Sequence, residues 1–205
     1  MTRTLTGLYD SYADAEATVH DLEAVDISHD DISLLASNAG ERYSLSEGEG
    51  NEAGPGAGTG ATLGAVLGGG AGLLAGLGML AIPGIRPIVS AGWLVATAAG
   101  AAGGAVVGGA GGGLIGAMIG NGVPEEHAHV YAEAVRRGGT LVTVRVENGF
   151  AATVEAILQK HRSVDPDARG RAYRETGWSR FDENAPAYTE EELGRQRRLH
   201  TPTIL

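Results

Sequence analysis

Apolar positions along the chain follow distinct rhythms, and each rhythm predicts its own element. Thr4 to Tyr9 (TLTGLY) reads as a short strand. A helix starts near Ser11, with Asp14 three residues on in a box-like start, and carries Ala15, Val19, Leu22 and Val25 on one face. Asp31 to Ser37 (DISLLAS) is a second strand, and Asp26, His29, Asp30 and Asp31 mark the turn into it. Much later, Pro124 with Glu125 and Glu126 opens a helix that ends at Arg136-Arg137 before Gly138-Gly139. Proline suits a first turn, carboxylates suit the positive end of the helix dipole, and guanidiniums suit the negative end. Thr140 to Val146 (TLVTVRV) alternates and is β-branched, a strand pattern. Phe150 to His161 reads as a helix with Phe150, Val154, Ile157 and Leu158 on one face. Ser163 to Tyr173 predicts a last strand, which Pro166 confines to an edge.

These elements run β-α-β, then α-β-α-(β), with a long interruption between the halves. Two split βαβ units closing on one sheet predict an α+β, ferredoxin-like module. The expected organisation is residues 1–40 as the first half, 41–53 as an acidic linker and 54–123 as a Gly/Ala-rich helical hairpin. Residues 124–175 form the second half of the module, and 176–205 a C-terminal arm with a short helix.

Residues 54–122 hold 24 of the chain's 34 glycines and one charged residue, Arg86. Glycines recur every fourth residue at Gly60, Gly64, Gly68, Gly72 and Gly76, and again at Gly100, Gly104, Gly108, Gly112, Gly116 and Gly120. Gly92 and Ala96 extend the second ladder backwards, and a turn at Ile82–Pro87, with Pro83, Gly84, Arg86 and Pro87, separates the two. Four-residue spacing lines up one helical face, and a bare glycine stripe lets helix backbones approach closely. The pattern predicts an antiparallel glycine-zipper hairpin whose stripes pack against other helices. Each glycine in a helix costs about 0.5–1 kcal/mol relative to alanine, so such a hairpin needs a partner surface: a bilayer, or the centre of a homo-oligomer.

Length does not choose between the two. Residues 60–82 as a helix span roughly 35 Å, close to a hydrocarbon core of about 30 Å, whereas 88–122 span roughly 52 Å, too long for one upright crossing. Glu47, Glu49 and Glu52 before the insert and Glu125 and Glu126 after it lack the Lys/Arg bias of cytoplasmic membrane flanks. Insertion in the cytoplasmic membrane, with the globular part in the cytoplasm, is the first expectation. A soluble cage, ring or filament with buried hairpins is the alternative. A third is a small-ligand-sensing module that uses the sheet.

Composition removes most chemistry. There are no cysteines, so there is no thiol nucleophile and no thiolate metal site. A net charge of −10, with a single lysine, argues against nucleic acid as a partner, because phosphate binding needs a basic surface. Gly111-Gly112-Gly113-Leu114-Ile115-Gly116 fits GxGxxG, but that fingerprint requires a strand leading in and lies here inside a glycine tract. His127 and His129 stand two apart on a helix and point to different sides, which disfavours a metal site. No Ser–His–Asp spacing suggests hydrolysis. The reading is non-enzymatic, with no cofactor, no metal and no evident small-molecule substrate. The start, MTRTLTGLYDSYADAE, predicts no signal peptide. Downstream, Trp178, Phe181 and Tyr188 punctuate a polar tail and make it a candidate inter-subunit arm, with Thr189 and Glu192 spaced as a capping box.

Ala81-Ile82-Pro83-Gly84 at the turn, Pro124-Glu125-Glu126 and Arg136-Arg137-Gly138-Gly139 after it make residues 3–165 resemble the bacterial heat-induced general-stress-protein family and related glycine-zipper proteins with predicted membrane segments. The resemblance implies a stress-associated bacterial protein and carries over no catalytic residue.

Overall fold

The computed structural model describes residues 2–37, 78–80, 88–94, 97, 113–186, 188, 189 and 191–195. Strand β1 (Thr2–Tyr9) leads into α1 (Tyr12–Glu23), and a 3-10 turn at His29–Asp31 leads into β2 (Ile32–Ser37). Two short strands follow, β3 (Gly78–Leu80) and β4 (Ile88–Gly92). After them come α2 (Leu114–Gly120), α3 (Glu125–Arg136), β5 (Thr140–Glu147), α4 (Ala151–Lys160) and α5 (Pro166–Glu175).

The strands form one antiparallel sheet in the order β1-β5-β2-β4-β3. Since β1 and β2 are both antiparallel to β5, they run parallel to each other with β5 between them. By the same logic β4 and β5 are parallel with β2 between them. The chain is thus α+β, and its two β-helix-β units interleave strand by strand.

Helices cover both faces of this sheet. On β5, Val142, Val144 and Val146 point to one side, where they meet Leu5, Ile32 and Leu34 beneath Ala15, Val19 and Leu22 of α1 and Val154 and Leu158 of α4. The intervening Leu141 points to the other side and joins Leu8, Leu35, Met118 of α2 and Val130 and Val135 of α3. Period-two alternation supplies two apolar faces, and each needs its own helical layer.

Five expectations change. The segment read as a helical hairpin contains strands at Gly78–Leu80 and Ile88–Gly92, where β4 pairs with β2 from Ser37↔Ile88 to Ser33↔Gly92. β2 would otherwise be an open edge, and Ile88 and Val89 suit a pleated ladder better than a glycine-faced helix. Gly92 is no ladder glycine: its φ is +98° and it closes this strand pair. The expected final strand reduces to one bridge, Leu8↔Val164, followed by α5. Asp165 caps that helix by accepting from Ala168 N–H at 2.8 Å, and Pro166 sits in its first turn, so the proline starts a helix instead of limiting a strand. Phe150 precedes α4 and is 53% exposed rather than on its buried face. Ser11 occupies the N-cap of α1 without a side-chain cap bond, so the box-like start does not form.

Candidate functional site

Among the described residues, the buried charged side chains Glu133, Arg136, Arg137 and Arg169, with His129, belong to α3, its C-cap and α5. α3 ends in a Schellman motif: Gly138 N–H donates to Val135 O at 3.0 Å and Gly139 N–H to Ala134 O at 2.9 Å, with Gly138 at φ +95°. This tight stop places both arginines in the last turn, where the helix dipole favours positive charge. Glu133 lies one turn earlier, completely buried. Its Oε1 accepts from Arg137 Nε at 2.7 Å and from the Tyr188 hydroxyl at 3.0 Å, and its Oε2 faces Arg136 Nη1 at 3.4 Å.

The two guanidiniums also hold the C-terminal segment. Arg136 Nη2 donates to Pro186 O at 2.8 Å, and its guanidinium lies over the Tyr188 ring at 5.1 Å. Arg137 stacks over Tyr173 at 4.1 Å, and Tyr173 meets Trp178 edge-on at 5.7 Å. Arg169 forks onto Asp10 at 2.9 and 2.8 Å, tying α5 to the end of β1. Phe181 and Leu193 are buried in the same region. The capping box forms as spaced: Thr189 N–H donates to Glu192 Oε2 at 2.7 Å, and Glu192 N–H to Thr189 Oγ1 at 3.3 Å. Within this chain, Phe181 and Tyr188 pack against the end of α3 and Trp178 against Tyr173. The buried Glu133–Arg136–Arg137 group offers aromatic and hydroxyl partners a seat within reach. Sequence spacing carried a signal for it, because Glu133 precedes the arginines by three and four residues on one helix face.

A second polar cluster sits where the chain leaves β4. The Trp93 indole donates to Asp31 O at 3.1 Å, and the Arg145 guanidinium lies 4.7 Å over the Trp93 ring while bonding Asp31 Oδ1 at 3.1 Å and Asp30 O at 2.8 Å. It pins the root of the glycine-rich segment to the sheet. An open depression of about 510 Å³ beside α4 is lined by Val25, Ala152, Thr153, Ala156, Ile157 and Lys160. Its one charge, Lys160, is held by Asp21 at 2.6 Å. These groups hold segments of the chain together.

Of the ladder glycines, Gly60, Gly64, Gly68, Gly72, Gly76, Gly100, Gly104, Gly108 and Gly112 lie outside the described residues, as do Pro83, Gly84, Arg86 and Pro87. Gly116 and Gly120 lie on α2. That helix buries Leu114, Ile115, Ala117 and Met118, whereas Gly116 is half-buried, Gly120 exposed and Ile119 39% exposed. Among the described residues no three His, Asp or Glu side chains gather as metal ligands. His127 bonds Asp167 at 2.9 Å, and His129 faces Arg180 at 3.3 Å. No described helix is long and apolar enough to cross a membrane. No family model, curated protein or solved structure matches the chain.

The His129–Arg180 contact carries a pH dependence. A guanidinium has only donors, so His129 Nε2 must accept, which requires a neutral ring. Burial, and then the Arg180 charge, push the His129 pKa below its ordinary value, against a weaker pull from Glu125 at 3.8 Å. The unfolded chain then binds the proton more readily, so the contact contributes fully above about pH 6.5 and its contribution falls as pH drops below that. The melting temperature should fall between pH 7 and pH 5 by more in the unmodified chain than in His129→Gln. Equal slopes would remove His129 from the account.

Proposed function

We propose that this is a non-enzymatic, stress-associated bacterial protein in which a ferredoxin-like, split-βαβ module carries a self-associating glycine segment. The α2 surface is the observation that carries the reading. Gly116 and Gly120, the described end of the second ladder, lie off the residues that α2 buries in its own module. A four-residue glycine stripe turned away from its own core suits close packing against another helix. The stress assignment rests on the resemblance of residues 3–165, and the ferredoxin-like assignment on the interleaved split βαβ units.

A water-borne assembly is favoured over a membrane-spanning hairpin by connectivity. β2, β3, β4 and β5 pair in one sheet, so the apolar segment before β3 and the one after β4 each leave and rejoin the same module. One bilayer crossing takes about 20 apolar residues, and a segment that starts and ends on one side needs two crossings. Residues 54–77, between the acidic linker and β3, number only 24. Light scattering of the full chain in detergent-free buffer should give a particle of several subunits, and Gly68→Ile or Gly108→Ile should shrink it. A single-subunit mass with and without mild detergent would overturn self-association. Flotation with alkaline-washed membranes on a density gradient would overturn the water-borne form and favour the bilayer.

A further inference from the structure

β1 is the last strand on its side of the sheet, laddered to β5 from Thr2↔Glu147 to Tyr9↔Thr140 without a bulge. Among the described residues its outer side is engaged at one point, where Val164 N–H donates to Leu8 O at 2.7 Å. In an antiparallel ladder, alternate residues point their backbone groups to the same side. The outward carbonyl of Leu8 therefore implies outward backbone groups at Thr2, Thr4 and Thr6, and among the described residues no strand pairs with them. Exposed edges are ordinarily blunted by Pro, Lys or a bulge. This one has none, and its single charge, Arg3, is turned onto Glu155 of α4 at 3.0 Å.

The geometry points to this edge as an interface between two copies of the chain, with β1 pairing antiparallel to β1 of the second copy about a twofold axis at Thr4. This deepens the self-association reading, and rests on it, but uses a surface separate from the glycine segment. Pairing about Thr4 sets Thr4 opposite Thr4 and Thr2 opposite Thr6, so each outward pair is threonine on threonine, a favourable cross-strand match. An axis at Thr6 would drive Thr4 of one copy onto Leu8 of the other, where Val164 already sits; an axis at Thr2 would leave Thr4 and Thr6 unused. The Thr4 register alone engages all three and ends where the Val164 bridge begins. Charge agrees with it: the chain carries −10 overall, yet residues 2–9 contain no acidic side chain.

The chain has no cysteine, so Thr4→Cys puts a single thiol on the axis. Hydrogen-bonded antiparallel partners have Cα atoms about 5.5 Å apart, within the roughly 4.4–6.8 Å that a disulfide spans. Mild oxidation of the full-length Thr4→Cys protein should give a covalent dimer on a non-reducing gel. Thr2→Cys mixed with Thr6→Cys should do the same, and Thr2→Cys alone should not. Thr4→Pro removes one outward N–H, which an edge strand tolerates, and should halve the scattering mass while keeping a cooperative melt. If the unmodified chain is oligomeric but Thr4→Cys stays single-chain on oxidation, this interface is wrong and self-association stands. If the unmodified chain is a single subunit, both fail.

Discussion

Replacing Gly92 with alanine should detach β4 from the sheet and cost the fold about 2–6 kcal/mol. Gly92 has a φ of +98°, a region that L side chains rarely adopt, and strain of that kind costs on the order of 1–3 kcal/mol. A Cβ there would lie 2.1 Å from the Ile32 carbonyl oxygen and 2.6 Å from Ser33 Cα. Both are backbone atoms of β2, a strand paired on both sides, so no side chain can rotate away and the strands must part. Overpacking adds about 1–3 kcal/mol. Trp93 follows directly, and its indole bond to Asp31 O should be lost with the Ser33↔Gly92 pair. In a Trp178→Phe background, the Trp93 emission should shift to the red and the urea midpoint should fall. Gly120→Ala is the contrast: nothing lies within 4 Å of its added Cβ, so monomer stability should hold or rise. A Gly92→Ala chain that loses less than about 1 kcal/mol would show that β4 does not need this close approach.

The legible parts of this fold are those in which pattern and end signals agree. α3 has proline and two glutamates at its start and two arginines before a glycine pair, and β5 alternates with β-branched residues; both lie within a residue or so of where they are expected. β3 and β4 are hidden for a physical reason. Their three and five residues sit among glycines whose four-residue recurrence dominates any periodic reading, while the β2 edge that recruits them is a tertiary feature. α5 is hidden because it is polar: Arg169, Gly170 and Tyr173 are its buried positions, and they make no hydrophobic stripe. The second helical layer was concealed by Thr143 and Arg145, which give β5 a half-polar appearance although Thr143 is fully buried.

The candidate site was legible only in fragments. In the sequence Arg136 and Arg137 read as dipole-compensating charges and the tail aromatics as anchors seeking another subunit, while Glu133 does not stand out at all. One long-range fact joins them, the return of residues 178–195 over the end of α3, and no local rhythm encodes it.

That joining can be measured through Glu133. Glu133→Ala should cost about 3–5 kcal/mol, because it strands two nearly buried guanidiniums without their carboxylate. For a chain of this size, that corresponds to a fall in Tm of about 6–20 °C. The Tyr188 hydroxyl loses its acceptor as well, so the C-terminal segment should loosen and become a site of limited proteolysis after Gly177. Glu133→Gln keeps the shape and one acceptor and should cost less than alanine. Replacing Glu133, Arg136 and Arg137 together with Leu, Met and Met should recover much of the loss, since a buried ion group exchanged whole for apolar side chains of similar volume is often neutral. The decisive comparison is a double-mutant cycle between Glu133→Ala and Tyr188→Phe. Coupling of about 0.5 kcal/mol or more identifies Glu133 as the seat of the arm, whereas strict additivity would mean that the arm is held by Phe181 and Leu193 alone and that the buried charge serves only the end of α3.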